Sequence, residues 1–228
     1  MSLTKQLSKL RELNCANLSA EVNSIMADAI NKLSESELIN NAPKAGQKLL
    51  NFTLFNHLGE KRLLANLRET GPVVVTFYRG GWCPYCSLQL RAYQEILQEI
   101  QATGATLVAI TPEFPDKSLS TTQMNKLEFE VLSDINSNYA RELGLIYTLP
   151  KKMRSLYEES FGIDLEKHNG VGQFDLPLTA TFVVDVDGTI TSAFVKADYT
   201  VRKEPEEILN ELKSLVHTKN TCLNARPD

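Results

Sequence analysis

Two cysteines three positions apart, Cys83 and Cys86, carry the chemistry most readily read from this chain. They stand in Phe77-Tyr78-Arg79-Gly80-Gly81-Trp82-Cys83-Pro84-Tyr85-Cys86, where a short apolar run gives way to a helix signal. A strand that ends at Gly80-Gly81 would deliver Cys83 to the first turn of a helix. Unpaired N–H groups and the positive end of the helix dipole favour a thiolate there. In such pairs the thiol pKa falls from ~8.5 to roughly 3.5–7.5, so a nucleophile exists near neutral pH. Cys86 lies one helical turn further on, facing the same side but expected further from solvent. It could attack a mixed disulfide or a sulfenic acid formed on Cys83, closing a Cys83–Cys86 disulfide. Pro84 fixes φ between them, and Trp82 is expected to pack beside Cys83 and shield it.

The surrounding elements must hold that pair. Pro72 to Tyr78 is short, β-branched and apolar, and reads as a buried central strand. Pro84 to Ala102 reads as one helix, with proline at its first position and Gly104 just past its end. Thr106 to Thr111 reads as the next buried strand, which makes a strand–helix–strand unit with a parallel pair and a right-handed crossover. Upstream, Leu49 to Phe55 and Lys61 to Leu64 read as strands around the turn at Asn56-His57-Leu58-Gly59. Downstream, helices are expected at Lys117 to Lys126, Asn138 to Leu143 and Lys152 to Phe161, with a short strand at Glu130 to Leu132. Ala180 to Val186 and Thr189 to Val195 form a hairpin through Asp187-Gly188, and Pro205 to Val216 is the closing helix. Residues 1–42 show helical spacing at Leu3, Leu7 and Leu10, and again through Ile25, Met26, Ala29, Ile30 and Leu33. They form a helical arm, either laid on the core or joining two copies in a homodimer. The expected organisation is therefore an arm at 1–42, one α/β domain at 43–216, and a loose polar tail at 217–228.

Composition narrows the function. The chain has 228 residues, is 43% hydrophobic and carries 24 basic against 28 acidic side chains. That balance offers no clustered basic face for nucleic acid. No run approaches the roughly 18 apolar residues of a membrane helix, and no apolar block follows Lys5 and Lys9 as a secretory signal requires. A cytoplasmic protein is expected. Four cysteines are too sparse for a disulfide scaffold. Zinc would need two more ligands, and Cys15, Cys222, His57, His168 and His217 show no paired spacing, so neither a metal nor a bound organic cofactor is expected. Cys15 is read as a small hydrophobe in the arm and Cys222 as a bystander thiol. His57 and His168 fall in a turn and a loop, and Asp198-Tyr199 could line the site.

The segment from about Pro43 to Val216 resembles the peroxiredoxin-like proteins of the alkyl hydroperoxide reductase/thiol-specific antioxidant (AhpC/TSA) family. The cysteine segment carries the resemblance, as do Ala180 to Gly188 and Asp198 to Glu207. The resemblance implies a thioredoxin-like fold, a central mixed β-sheet flanked by helices, here with the N-terminal helical extension. It implies Cys83 as peroxidatic cysteine and Cys86 as its resolving partner. The substrate would be hydrogen peroxide or an organic hydroperoxide, and the reductant an external thiol system based on thioredoxin or glutathione. Trp82, Pro84, Tyr85, Arg79 and Thr179 would support the site. This chain also departs from the family pattern. Where the family carries Thr or Ser three residues before the peroxidatic cysteine and Pro seven before, this chain has Gly80 and Thr76. Thr179 stands where the family's late-strand arginine, or a thioredoxin's cis-proline, is expected, and could offer its hydroxyl to the thiolate. Phe77 replaces the buried aspartate of thioredoxins. Two further readings follow: a glutaredoxin- or thioredoxin-like dithiol–disulfide oxidoreductase, and a redox-sensing interaction module.

Overall fold

The computed structural model describes residues 1–224, with side chains to residue 217. Three helices lead, Leu3–Asn17 (α1), Ala20–Ser34 (α2) and Leu38–Asn41 (α3), followed by the hairpin Thr53–Asn56 (β1) and Lys61–Leu63 (β2). Leu64–Thr70 (α4) leads to Val73–Phe77 (β3), Pro84–Glu95 (α5), Leu97–Ala102 (α6), Thr106–Thr111 (β4), Pro115–Asn125 (α7) and Glu130–Ser133 (β5). Asn138–Glu142 (α8), Ile146–Thr148 (β6), Lys151–Ser155 (α9), a π-helical turn at Leu156–Ser160, Leu165–Asn169 (α10) and Asp175–Pro177 (β7) come next. Thr179–Val184 (β8), Ile190–Lys196 (β9) and Pro205–Asn224 (α11) complete the described chain.

Seven strands form one mixed sheet in the order β2-β1-β5-β4-β3-β8-β9. β3 runs parallel to β4 and antiparallel to β8, which puts the strand entering the cysteine motif near the middle of the sheet. Every residue of β3 is buried. Its alternation splits the core: Val74 and Tyr78 face a layer with α1, α5, α6 and α11, while Val73, Val75 and Phe77 face Leu64 and Tyr139 on the other side. The mixed sheet between helical layers, with the N-terminal extension, is the architecture expected.

The arm lies on the core. Leu3 and Leu7 are 2% and 3% exposed and join the α5 side of the core. Burial of each is worth about 1.5–3 kcal/mol. The Glu204 carboxylate accepts from the backbone N–H groups of Leu3 and Thr4, capping the first turn of α1, and Arg11 pairs with Asp198 at 3.2 Å. Both contacts tie the arm to the segment between β9 and α11.

Three expectations are corrected. The single helix expected over 84–102 is broken at Ile96, where φ is −105° and ψ 8°, and this turns Leu97 and Ile100 into the core. No proline or glycine marks the break, so periodicity could not show it. The tail expected from residue 217 is helical to Asn224, since nothing between Pro205 and Pro227 interrupts a helix. The segment between α8 and β8, read only as a helix, also carries the two-stranded sheet β6–β7. Strands of three residues are too short to show a period. The expectation for Cys222 lies outside the described side chains.

Candidate active site

Cys83 is the N-cap of α5, with φ −93°, ψ 111° and Pro84 at the first helical position. Its carbonyl accepts from Ser87 N–H at 3.1 Å, starting the helix, and its own N–H bonds Gly80 O at 3.1 Å. The loop before it is anchored from below. Gly81 N–H donates to Glu113 Oε2 at 2.8 Å, and Glu113 Oε1 lies 2.7 Å from His168 Nδ1. Glu113 is fully buried, so its carboxylate requires such partners. His168, expected in a loop, lies in α10 and supplies one of them.

The two glycines before Trp82 are held by crowding. A Cβ at Gly80 would lie 2.2 Å from Trp82 Nε1, and one at Gly81 would lie 2.0 Å from Thr121 Oγ1. The first contact explains why no hydroxyl-bearing side chain stands three residues before Cys83. The second makes a prediction. Thr121 is 1% exposed and β-branched, so it cannot rotate freely aside. Gly81→Ala is expected to cost about 1–3 kcal/mol, read as a lower denaturation midpoint, and Thr121→Ala in the same chain should recover part of the loss.

Two buried arginines face the sulfurs. Arg79 Nη2 donates to Cys83 Sγ at 3.1 Å, while its Nη1 donates to Tyr157 Oη at 2.9 Å. The Tyr199 ring centroid lies 3.9 Å from the Arg79 guanidinium carbon and the Trp82 ring 5.2 Å from it, a cation–π setting that stabilises a desolvated cation. Arg202 Nη2 donates to Cys86 Sγ at 3.4 Å, and its Nη1 to Thr179 Oγ1 at 2.8 Å. Thr179, expected to offer its hydroxyl to the thiolate, accepts from Arg202 through that hydroxyl oxygen and so sits beside the cation that faces Cys86. Trp82 and Tyr85 line the same cavity as Cys83. The Trp82 ring meets Tyr157 edge-on at 5.7 Å, and Tyr85 meets Tyr199 at 5.5 Å and accepts from Asn14 at 3.1 Å.

Burial alone would push the Cys83 thiol up, but the hydrogen bond from Cys86 and the Arg79 and Arg202 charges outweigh it and hold the thiol well below its ordinary value. The Cys86 thiol is pushed well up, by burial first and then by the hydrogen bond and charge of Cys83. The two shifts run in opposite directions, which favours the thiolate on Cys83 and the proton on Cys86. Burial likewise raises the Tyr157 phenol to about 12 against the pull of Arg79.

Neither sulfur is exposed. Cys83, expected nearer solvent than Cys86, lies in the wall of a cavity of about 560 Å³ that Cys86 does not line, with Arg79, Trp82, Tyr85, Tyr157 and Tyr199. The opposite wall is the arm: Cys15 and Asn14 from α1, Met26 and Ile30 from α2. Cys15 is exposed to solvent, not packed as a core residue. Among the described residues no group of three or more His, Cys, Asp or Glu side chains could hold a metal, and no helix is long and apolar enough to cross a membrane.

Three residues of the site were not found from sequence. Arg202 stood in a segment carrying the family resemblance, and Glu113 stood out as an acid among apolar neighbours. Tyr157 had no signal beyond a place in a helix.

A strand–helix unit that buries a reactive cysteine pair at a helix start, within this sheet order, defines a thioredoxin-fold thiol protein. Residues 45–193 match the AhpC/TSA family model, and the chain belongs to that family. Peroxiredoxin Bcp of Escherichia coli is 25% identical over 173 residues, covering 76% of this chain and 97% of the relative. In fold, the chain is similar to peroxidoxin BcpB from Mycobacterium tuberculosis, with TM-score 0.59 at 21% identity over 75% of this chain and 97% of that one. It is also similar to the reduced 2-Cys peroxiredoxin of Plasmodium vivax, with TM-score 0.60 at 13% identity over 78% and 84%. The protein is an oxidoreductase of the peroxiredoxin kind.

Proposed function

We propose that the protein is a two-cysteine thiol peroxidase acting on hydrogen peroxide or organic hydroperoxides. The observation that carries the reading is the Arg79 guanidinium, 3.1 Å from a buried Cys83 sulfur that Cys86 also hydrogen-bonds. The Cys83 thiolate attacks the terminal oxygen of the peroxide. An S–O bond forms, the O–O bond breaks, and the bonding pair leaves on the other oxygen, which becomes water or an alcohol on protonation. Cys83 is then a sulfenic acid. The Cys86 sulfur, losing its proton, attacks the Cys83 sulfur and expels hydroxide, which leaves as water, and the Cys83–Cys86 disulfide closes. Arg202, beside Cys86, favours the thiolate that this step needs. An external thiol reductant of the thioredoxin or glutathione system would restore the pair, as suits a cytoplasmic enzyme.

Burial of both sulfurs beneath the arm favours a small peroxide over a protein disulfide, which would need the arm displaced. A peroxide titration of the reduced protein with mass mapping of its thiols tests the reading. One equivalent per chain should convert Cys83 and Cys86 to a disulfide, with Cys15 still alkylatable. Oxidation located elsewhere, or no faster than that of free cysteine while insulin is reduced readily, would replace it with the disulfide-reductase reading.

A further inference from the structure

The leaving oxygen of a peroxide needs a proton, and the family's usual hydroxyl neighbour of the peroxidatic sulfur is absent here because Gly80 abuts the Trp82 indole. The site nevertheless holds a hydroxyl. One planar guanidinium, that of Arg79, donates through Nη2 to Cys83 Sγ at 3.1 Å and through Nη1 to Tyr157 Oη at 2.9 Å. The same rigid fork therefore sets nucleophile and phenol side by side, and both line the cavity that a substrate would occupy. Arg79 donates into the phenol oxygen, so the phenol's own proton remains to be given away. Tyr157 is 2% exposed and clamped by the rings of Trp82 at 5.7 Å and Phe161 at 5.8 Å. It is carried by the π-helical turn Leu156–Ser160, a rare geometry that is frequent at functional sites.

We propose that Tyr157 is the catalytic acid of the peroxidase reaction, protonating the oxygen that leaves as Cys83 attacks. The inference rests on the thiol-peroxidase reading. As the sulfur takes the terminal oxygen of ROOH, the O–O pair moves onto the alkoxide, which takes the Tyr157 proton and departs as ROH. The phenolate left behind is held by the Arg79 cation and regains a proton from water.

The test exploits leaving-group chemistry. An alkyl hydroperoxide expels an alkoxide and needs the acid; a peracid expels a carboxylate and does not. The first-order loss of the alkylatable Cys83 thiol is followed after mixing reduced protein with tert-butyl hydroperoxide or with peracetic acid. In Tyr157→Phe the alkyl hydroperoxide reaction should slow on the order of 10²-fold, and the peracid reaction should slow much less. Tyr147→Phe alters a tyrosine that also faces Arg79 but does not line the cavity that holds Cys83, and should change the two rates in equal proportion. Iodoacetamide reactivity of Cys83 across pH, measured in each variant, reports whether the thiolate survives. Equal slowing of both oxidants in Tyr157→Phe, or no slowing of either, overturns the acid role. Failure of the wild-type protein to oxidise Cys83 with any peroxide overturns instead the reading on which it rests.

Discussion

Cys83→Ser should consume no peroxide beyond the uncatalysed background, whereas Cys86→Ser, without an external thiol, should consume a first equivalent per chain and further peroxide only as its sulfenic acid over-oxidises. The serine hydroxyl cannot ionise near neutral pH, so neither the fork of Arg79 nor the start of α5 can make it a nucleophile. Loss of Cys86 leaves attack intact but removes the sulfur that traps the product, so the Cys83 sulfenic acid should persist and, with excess peroxide, climb to the sulfinic acid. Peroxide consumption, combined with the intact mass of each variant, reads both outcomes: one added oxygen on Cys86→Ser, none on Cys83→Ser. Continued turnover in Cys83→Ser would transfer the nucleophile to another residue.

Arg79→Met should raise the Cys83 thiol. Burial already disfavours the thiolate, and removing Arg79 deletes one charge and one hydrogen bond that oppose it. Hydrogen bonds to a charged group contribute about 1.5–3 kcal/mol, and each pKa unit is about 1.4 kcal/mol. At a pH between the wild-type and variant values, alkylation and peroxide attack should fall roughly tenfold to a hundredfold. Wild-type alkylation should be flat with pH well below ~8.5, while the variant should climb through a titration displaced upward. The stability linkage has a definite sign. A thiol whose folded value is depressed adds stability above its unfolded value of ~8.5, and that contribution is lost as pH falls through the folded value. Denaturation of the wild type should therefore show a pH-dependent gain over that window that Arg79→Met largely lacks. Superimposable pH profiles for the two proteins would show that Arg79 does not set the thiolate.

Much of the fold was legible because the elements that carry the site are local and strongly patterned. The β-branched run before Gly80, the proline after Cys83, the apolar run of β4 and the Asp187-Gly188 turn each specify their own geometry within a few residues. What escaped the sequence was set through space. Arg202 reaches Cys86 from a segment 116 positions away, and Glu113 and His168 anchor Gly81 across the gap between separate elements. Tyr157 is aimed by a change of helical pitch that no residue type announces. Thr179 shows the limit from the other side: its place in the motif was legible, but only the position of Arg202 decides what its hydroxyl does. Gly80 could be noted as a departure, whereas its cause, the Trp82 ring pressed over it, is a packing fact.

Trp82 is the one tryptophan in the chain. Its indole lies beside both the Arg79 cation and the Tyr157 ring on the wall that holds the reactive sulfur. Its ultraviolet emission is consequently a single-site optical signal from the unlabelled protein, with no second fluorophore of its kind to subtract. The loss of negative charge beside Arg79 can be followed in rapid-mixing experiments, in real time and without a dye.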